Sequence, residues 1–241
     1  MKTSIKIGIA LIVIMLSGIT YSNLGLKKQY DAIDKSDAFW NYDLREKLTF
    51  SKLQIEGGNR AHITIVKEKG KGEIAYNEDL KDLISYKVIN DTLKIVFDKS
   101  LEEKSTTMVK RLKHRIGISY DDLETLEIKN GWASLQMEGL EDFKLNLSGA
   151  SYLELKTESQ ALNAFDVSLD GNSQLNFTNI KSKILLKSLS VKVFDSSRAN
   201  LETFYPEKTT LQVSENAKIT LNAKTWNSSQ IPNEINNSNN Q

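Results

Sequence analysis

The chain has no cysteine, two prolines and two histidines among its 241 residues. Without cysteine there is no disulfide framework, no thiolate zinc site and no lipid attachment through an N-terminal cysteine. Stability must come from buried side chains and backbone hydrogen bonds. Proline removes a ladder donor, and Pro206 and Pro232 both fall near the end, which leaves a long stretch open to continuous strand pairing. His62 and His114 stand far apart in sequence, with no serine or carboxylate pattern around either. Charge of one sign is missing too. Lys plus Arg number 32 against 31 Asp plus Glu, so there is no net field to recruit nucleic acid. Asp121-Asp122-x-Glu124 lacks the spacing and glycine of a calcium loop. No phosphate loop, nucleophile elbow or dinucleotide fingerprint is present, and no cofactor is implied.

What is present begins with an apolar run. Lys2 and Lys6 precede Ile7 to Ile19, and the run continues weakly to Leu26 before Lys27 and Lys28. A basic start followed by a short apolar core is the plan of a signal peptide. Counted from Ile7 to Leu26 the run is 20 residues, about the length that crosses a bilayer. Thr20-Tyr21-Ser22 is a poor cleavage site. Residues 1–26 therefore read as a transmembrane anchor, with a cleaved signal as the alternative. Residues 27–46 read as a charged juxtamembrane connector carrying Tyr30, Ile33, Phe39, Trp40 and Tyr42. The anchor makes the membrane the first expected partner. Asp31, Asp34 and Asp37 on its far side lean toward export of the large domain.

The body is organised around a stretch that repeats itself. Phe143-x-Leu145-x-Leu147-Ser148-Gly149-Ala150-Ser151-x-Leu153-x-Leu155 is followed 22 residues later by Phe165-x-Val167-x-Leu169-Asp170-Gly171-Asn172-Ser173-x-Leu175-x-Phe177. Alternation at period two marks a strand with one buried face. A glycine in the turn lets the backbone take positive φ. Degenerate copies surround Lys129 to Ser134, Asp195 to Leu201 and Ser214 to Ala217. The last apolar residue before each turn is Ile128, Leu147, Leu169, Val193 or Val213, giving steps of 19, 22, 24 and 20. The expected fold is thus all-β: a single-stranded right-handed parallel β-helix, or β-solenoid, of about 20-residue rungs over 47–224. The repeat-turn residues singled out are Gly131, Ser134, Ser148, Gly149, Ser151, Asp170, Gly171 and Ser173.

Other parts are less regular. Leu53 to Ile65 is a degenerate copy, and Asn90-Asp91 reads as a hairpin turn between Tyr86-x-Val88 and Leu93-x-Ile95. Residues 78–84 read as a helical turn or bend. Lys99 to Arg115, with Lys110, Arg111, Lys113 and His114, reads either as a solvated loop or edge guarded by lysines or as a basic patch for an anionic ligand. Residues 225–241 are rich in Asn, Ser and Gln and read as a disordered tail, with Trp226 placed to cover the open end.

The run from Leu145 to Leu155 and its repeats resemble the "putative auto-transporter adhesin, head GIN domain" family of Bacteroidetes-type bacteria, over roughly residues 47–222. The resemblance implies a parallel β-helix in the cell envelope, in the periplasm or at the surface. It supplies no catalytic residues. Two function classes follow. One is a non-catalytic envelope protein that displays its β surface for adhesion, or to a glycan or protein; the other is a polysaccharide-cleaving enzyme. Cleavage needs clustered carboxylates, or an Arg/Lys–carboxylate set, on one face. The expected outward residues Lys144, Asn146, Glu154, Asp166, Ser168, Asn176, Ser190, Lys192 and Glu202 are mixed, which favours binding.

Overall fold

The computed structural model describes residues 3–34, 37–59, 61–70, 72–99, 114–157, 161–178, 183–227 and 229–230. The basic stretch with Lys110, Arg111 and Lys113 lies outside the described residues, as does the end of the tail from 231. The chain divides into two compact units, Met1–Asn41 and Tyr42–Gln241.

The first unit is built on helix α1, Thr3–Ala32. Ile7, Leu11, Met15 and Leu24 are all more than half exposed, so the apolar surface points outward all round. The Ser17 and Thr20 hydroxyls donate to the Val13 and Leu16 carbonyls of the helix itself at 2.8 Å. The helix runs past Leu26 into the expected connector, through Lys27 and Lys28.

The second unit holds the strands. They are β1 (Leu44–Lys47), β2 (Lys52–Glu56), β3 (His62–Lys67), β4 (Glu73–Tyr76), β5 (Ile84–Ile89) and β6 (Thr92–Phe97), with a short 3-10 turn at Glu78–Leu80. After residue 114 come β7 (Arg115–Tyr120), β8 (Thr125–Lys129), β9 (Trp132–Gln136), β10 (Asp142–Ser148), β11 (Tyr152–Lys156) and β12 (Ala161–Leu169). The last are β13 (Gln174–Thr178), β14 (Ile184–Val193), β15 (Arg198–Asn200), β16 (Phe204–Val213), β17 (Lys218–Thr220), helix α2 (Ala223–Asn227) and β18 (Ser229–Gln230).

These strands form two nine-stranded sheets. The first has the order β1-β4-β7-β3-β9-β11-β13-β15-β17, the second β18-β16-β14-β12-β10-β8-β2-β6-β5. The expected single-stranded parallel β-helix is not what forms. Both sheets are mixed: β4 runs antiparallel to β1 and β7, and β5 antiparallel to β6. The physical reason lies in the N-terminal half, where short reversing turns replace the 20-residue period. Asn90 and Asp91 adopt φ of 48° and 65°, the left-handed pair that closes a two-residue hairpin between β5 and β6. Sheet order also departs from chain order, since β2 sits between β6 and β8, and β3 between β7 and β9.

Within this frame the repeats pair in parallel and in register. Leu147 lies beside Leu169 and Ile128, and Leu169 beside Val193. Ile128 in turn pairs Ile55, which pairs Ile95. All six of these side chains are essentially buried. Phe143 stacks on Phe165 with centroids 5.8 Å apart, and Phe165 on Phe204 at 5.4 Å. Burial at about 1.5–3 kcal/mol per large aliphatic side chain is what holds such a stack. At the end, Thr225 of α2 is buried and its hydroxyl donates to the Phe204 carbonyl at 2.9 Å, covering the edge of β16. Trp226, expected in that role, is 53% exposed instead.

Candidate functional site

Most of the turn residues singled out from the sequence fall into two columns, with Ser148 and Asp170 just before the first and Ser134 on a strand. Parallel register aligns Asn130, Gly149, Gly171 and Asp195, which all adopt left-handed φ of 55°, 68°, 72° and 55°. Asn and Asp tolerate this region better than other side chains, so they substitute for glycine there. The column is tight: a Cβ on Gly171 would come within 2.9 Å of the Gly149 backbone. The Asp195 carboxylate accepts from the Gly171 N–H at 3.0 Å, and the Asn130 side-chain oxygen from the Ala150 N–H at 3.0 Å. Ser148 and Asp170 stand one position earlier, each supplying a carbonyl to its own turn.

The second column is Gly131, Ser151, Ser173 and Ser197. The Ser151 hydroxyl donates to the Ser148 carbonyl at 2.6 Å, and the Ser173 hydroxyl to the Asp170 carbonyl at 2.8 Å. Further contacts link neighbouring strands: Ser151 Oγ lies 3.1 Å from the Ile128 carbonyl and Ser173 Oγ 3.1 Å from the Gly149 carbonyl. The Ser173 N–H donates to Ser197 Oγ at 3.2 Å. Ser197 was not singled out from the sequence, although its place two residues after the left-handed Asp195 is the signal that finds it. Ser134 stands apart from both columns, on β9 beside Glu154.

The outward face of the first sheet offers a different kind of surface. Register places Arg115 beside His62, Trp132 beside Tyr152, and Tyr152 beside Gln174, Arg198 and then Lys218 on successive strands. The Ile63–Ala133 pair brings His62 next to Trp132. One row therefore crosses seven strands, or about 29 Å at the usual strand spacing. Alternation explains it, because the members precede buried residues such as Ile63, Leu153 and Leu175, and Lys218 precedes the partly buried Ile219. The Trp132 and Tyr152 rings lie 5.8 Å apart and tilted by 49°. Trp132 is 37% exposed. Sequence reading did not assemble this row, since its members come from strands up to 156 residues apart and only pairing aligns them.

The row carries three permanent cations, Arg115, Arg198 and Lys218, and no carboxylate. The adjoining row contains Glu154, whose carboxylate is held by Lys156 Nζ at 3.0 Å and by the Thr178 hydroxyl at 2.8 Å. Partial burial pushes the Glu154 carboxyl up, but the Thr178 and Lys156 hydrogen bonds outweigh it and leave the group below its ordinary range. His62 is held below its ordinary value, first by desolvation and then by the Lys156 and Arg115 charges. It stands neutral in the row at neutral pH. Arg115 also lies over the Tyr42 ring, 5.8 Å from its centroid, and burial raises the Tyr42 phenol against that cation's pull. The two histidines, distant in sequence, meet through the backbone: the His62 N–H donates to the His114 carbonyl at 2.8 Å.

Two mixed nine-stranded sheets with in-register parallel repeats define a mostly β class of protein. The chain belongs to the family described as "putative auto-transporter adhesin, head GIN domain", whose model matches residues 49–226. No curated protein matches it. Among solved structures it is similar to a "putative adhesin" from Parabacteroides distasonis, at 12% identity and a TM-score of 0.48, covering 74% of this chain and 81% of that one. It is also similar to a "putative adhesin" from Bacteroides fragilis, at 14% identity and a TM-score of 0.41, covering 74% and 96%. A third, a "putative lipid binding protein" from Parabacteroides distasonis, has 11% identity and a TM-score of 0.36, with 78% and 95% covered.

Proposed function

We propose that this is a non-catalytic cell-envelope protein, anchored by residues 1–26, whose β domain over 47–224 binds an extended anionic glycan along the outward row of its first sheet. The observation that carries the reading is the Trp132–Tyr152 pair flanked by Arg115 on one side and Arg198 and Lys218 on the other. An aromatic face stacks on the apolar face of a sugar ring, and cations at the strand spacing meet acidic substituents along a chain. The turn columns around Gly149, Gly171, Ser151 and Ser173 serve the scaffold, because their polar groups are spent on backbone partners.

Cleavage of the glycan fits the geometry less well. Glycosidic acid–base pairs stand about 5–9.5 Å apart. Glu154, the carboxylate on the outward strands beside the aromatic pair, is committed to Lys156 and Thr178. On the other sheet Glu141 and Glu207 are three strands apart, about 14 Å at the usual strand spacing.

A panel of neutral, uronic-acid and sulfated oligosaccharides tests the reading. Acidic members are expected to bind in a salt-sensitive way. Trp132→Ala should weaken them by about tenfold, on the order of 1.4 kcal/mol, with the melting temperature little changed. Equal binding by the variant, or binding confined to neutral sugars, would remove the row from consideration.

A further inference from the structure

The period-two pattern of the second sheet fails in the same place on β12, β14 and β16 and at the entry to β10. Buried Leu140 and Phe143 are separated by two exposed residues, Glu141 and Asp142, where alternation allows one. Leu162 and Phe165, Leu186 and Leu189, and Pro206 and Thr209 repeat that spacing of three. Pairing steps from Leu162–Leu186 to Ala164–Ser188, and from Leu186–Pro206 to Ser188–Lys208, passing over Asn163, Lys187 and Glu207. Both partners step over one residue, so the strands stay in register and each carries the same kink, with two consecutive side chains off the core. These kinks line up in a strip across the strands.

The strip is a groove of about 650 Å³. Glu141, just before β10, and Asn163, Lys187 and Glu207 on β12, β14 and β16 run along it, and Lys224 of α2 also lines it. Leu185, 59% exposed, lines it together with its register partner Tyr205. Lys183 holds that ring from outside the groove, with Nζ 4.9 Å from the centroid.

We propose that this groove binds a short extended peptide segment of a partner protein, with an apolar side chain on Leu185 and Tyr205 flanked by one basic and one acidic residue. Charge complementarity selects this occupant. Acid, amide, base and acid follow one another at strand spacing, with a second base beyond, so the four charges sum to zero. A polyanion such as an acidic glycan or a nucleic acid gains no net attraction there. An acyl chain would leave the four charges without partners. From Glu141 to Glu207 is about 14 Å, the reach of about four extended residues. The groove crosses the strands, so a bound peptide cannot join the ladder and is read through its side chains. This proposal is independent of the glycan row on the other sheet.

The test uses the full chain in lipid nanodiscs and fluorescence anisotropy with labelled hexapeptides. Two carry leucine between one lysine and one glutamate in opposite orders, and a control has serine at both charged positions. One charge order should bind at least about tenfold more tightly than the control. Leu185→Asp should abolish that preference, and Trp132→Ala should leave it intact. Both residues are exposed, and thermal melts of each variant check that it is folded. The double variant Lys187→Glu with Glu207→Lys should favour the opposite order. The proposal is overturned if neither order exceeds the control, if the double variant keeps the original preference, or if Leu185→Asp binds like the parent. It is equally overturned if acidic oligosaccharides or a soluble short-chain phospholipid bind in a Leu185-dependent way while the peptides do not.

Discussion

At the scale of single residues, the two glycines of the repeat turn are where the backbone has least choice. Gly171 combines φ of 72° with backbone from Gly149 closer than any Cβ tolerates. Gly171→Ala should therefore cost about 1–3 kcal/mol, read as a lower midpoint in a denaturant melt. Gly70, also at positive φ but with open space around it, should lose less on the same change. A Gly171 variant as stable as the Gly70 variant would show that close approach contributes nothing. The Gly-x-Ser signature was readable because glycine and serine are rare enough in strands to stand out. Asn130 and Asp195 stand in line with the glycines, since their side chains tolerate the same left-handed backbone.

His62 gives the residue scale its pH dependence. Its folded-state value lies below the ordinary 6.5, so the fold favours the neutral imidazole. That contribution is complete above pH 6.5 and is lost as pH falls through the lowered value. Glu154, also lowered, adds a second loss further down, below its ordinary 4.5. The melting temperature should fall as pH drops below 6.5, and His62→Gln should shrink that fall while leaving the more acidic one. An identical profile in the variant would mean that His62 is not desolvated in solution.

At the scale of strands, alternation determines which side chains are inside, and this was the most legible level. Leu169 is fully buried between Leu147 and Val193, and Ser168 faces outward beside Asn146 and Lys192. Leu169→Asp buries a carboxylate and should lower stability by several kcal/mol. Ser168→Asp should change it by less than about 0.5 kcal/mol. Denaturant melts of the pair decide it, and equal losses would reverse the faces of β12. Which strands pair was less legible. A regular step between repeats points to parallel neighbours, and β8, β10, β12, β14 and β16 follow it. The step is silent on β4 and β5, whose reversals depend on two short turns, and on β2 and β3, which join the repeats from more than 65 residues away. The stacked kinks left a trace, a spacing of three between buried residues starting at Leu140, Leu162, Leu186 and Pro206, but in a single copy that spacing looks like noise.

For the whole molecule, the decisive contrast is between a domain that buries its apolar residues and a helix that does not. Helix α1 leaves Leu11, Ile14 and Met15 exposed by 62%, 67% and 68%. The segment Ile7–Asp31 is long and apolar enough to cross a bilayer. In water that surface is unfavourable by about 25 cal/mol per Å². A lipid environment removes the penalty, and the hydroxyls of Ser17 and Thr20 are already satisfied by helix carbonyls. The expected outcome is that the expressed protein sediments with membranes, resists extraction by high salt and carbonate, and keeps an N-terminus ahead of the apolar run. Mass spectrometry detecting a mature N-terminus near Asn23 on a soluble protein would instead identify the segment as a removed signal. The β domain would then be a free binder, and its two candidate surfaces would act without any fixed orientation to the membrane.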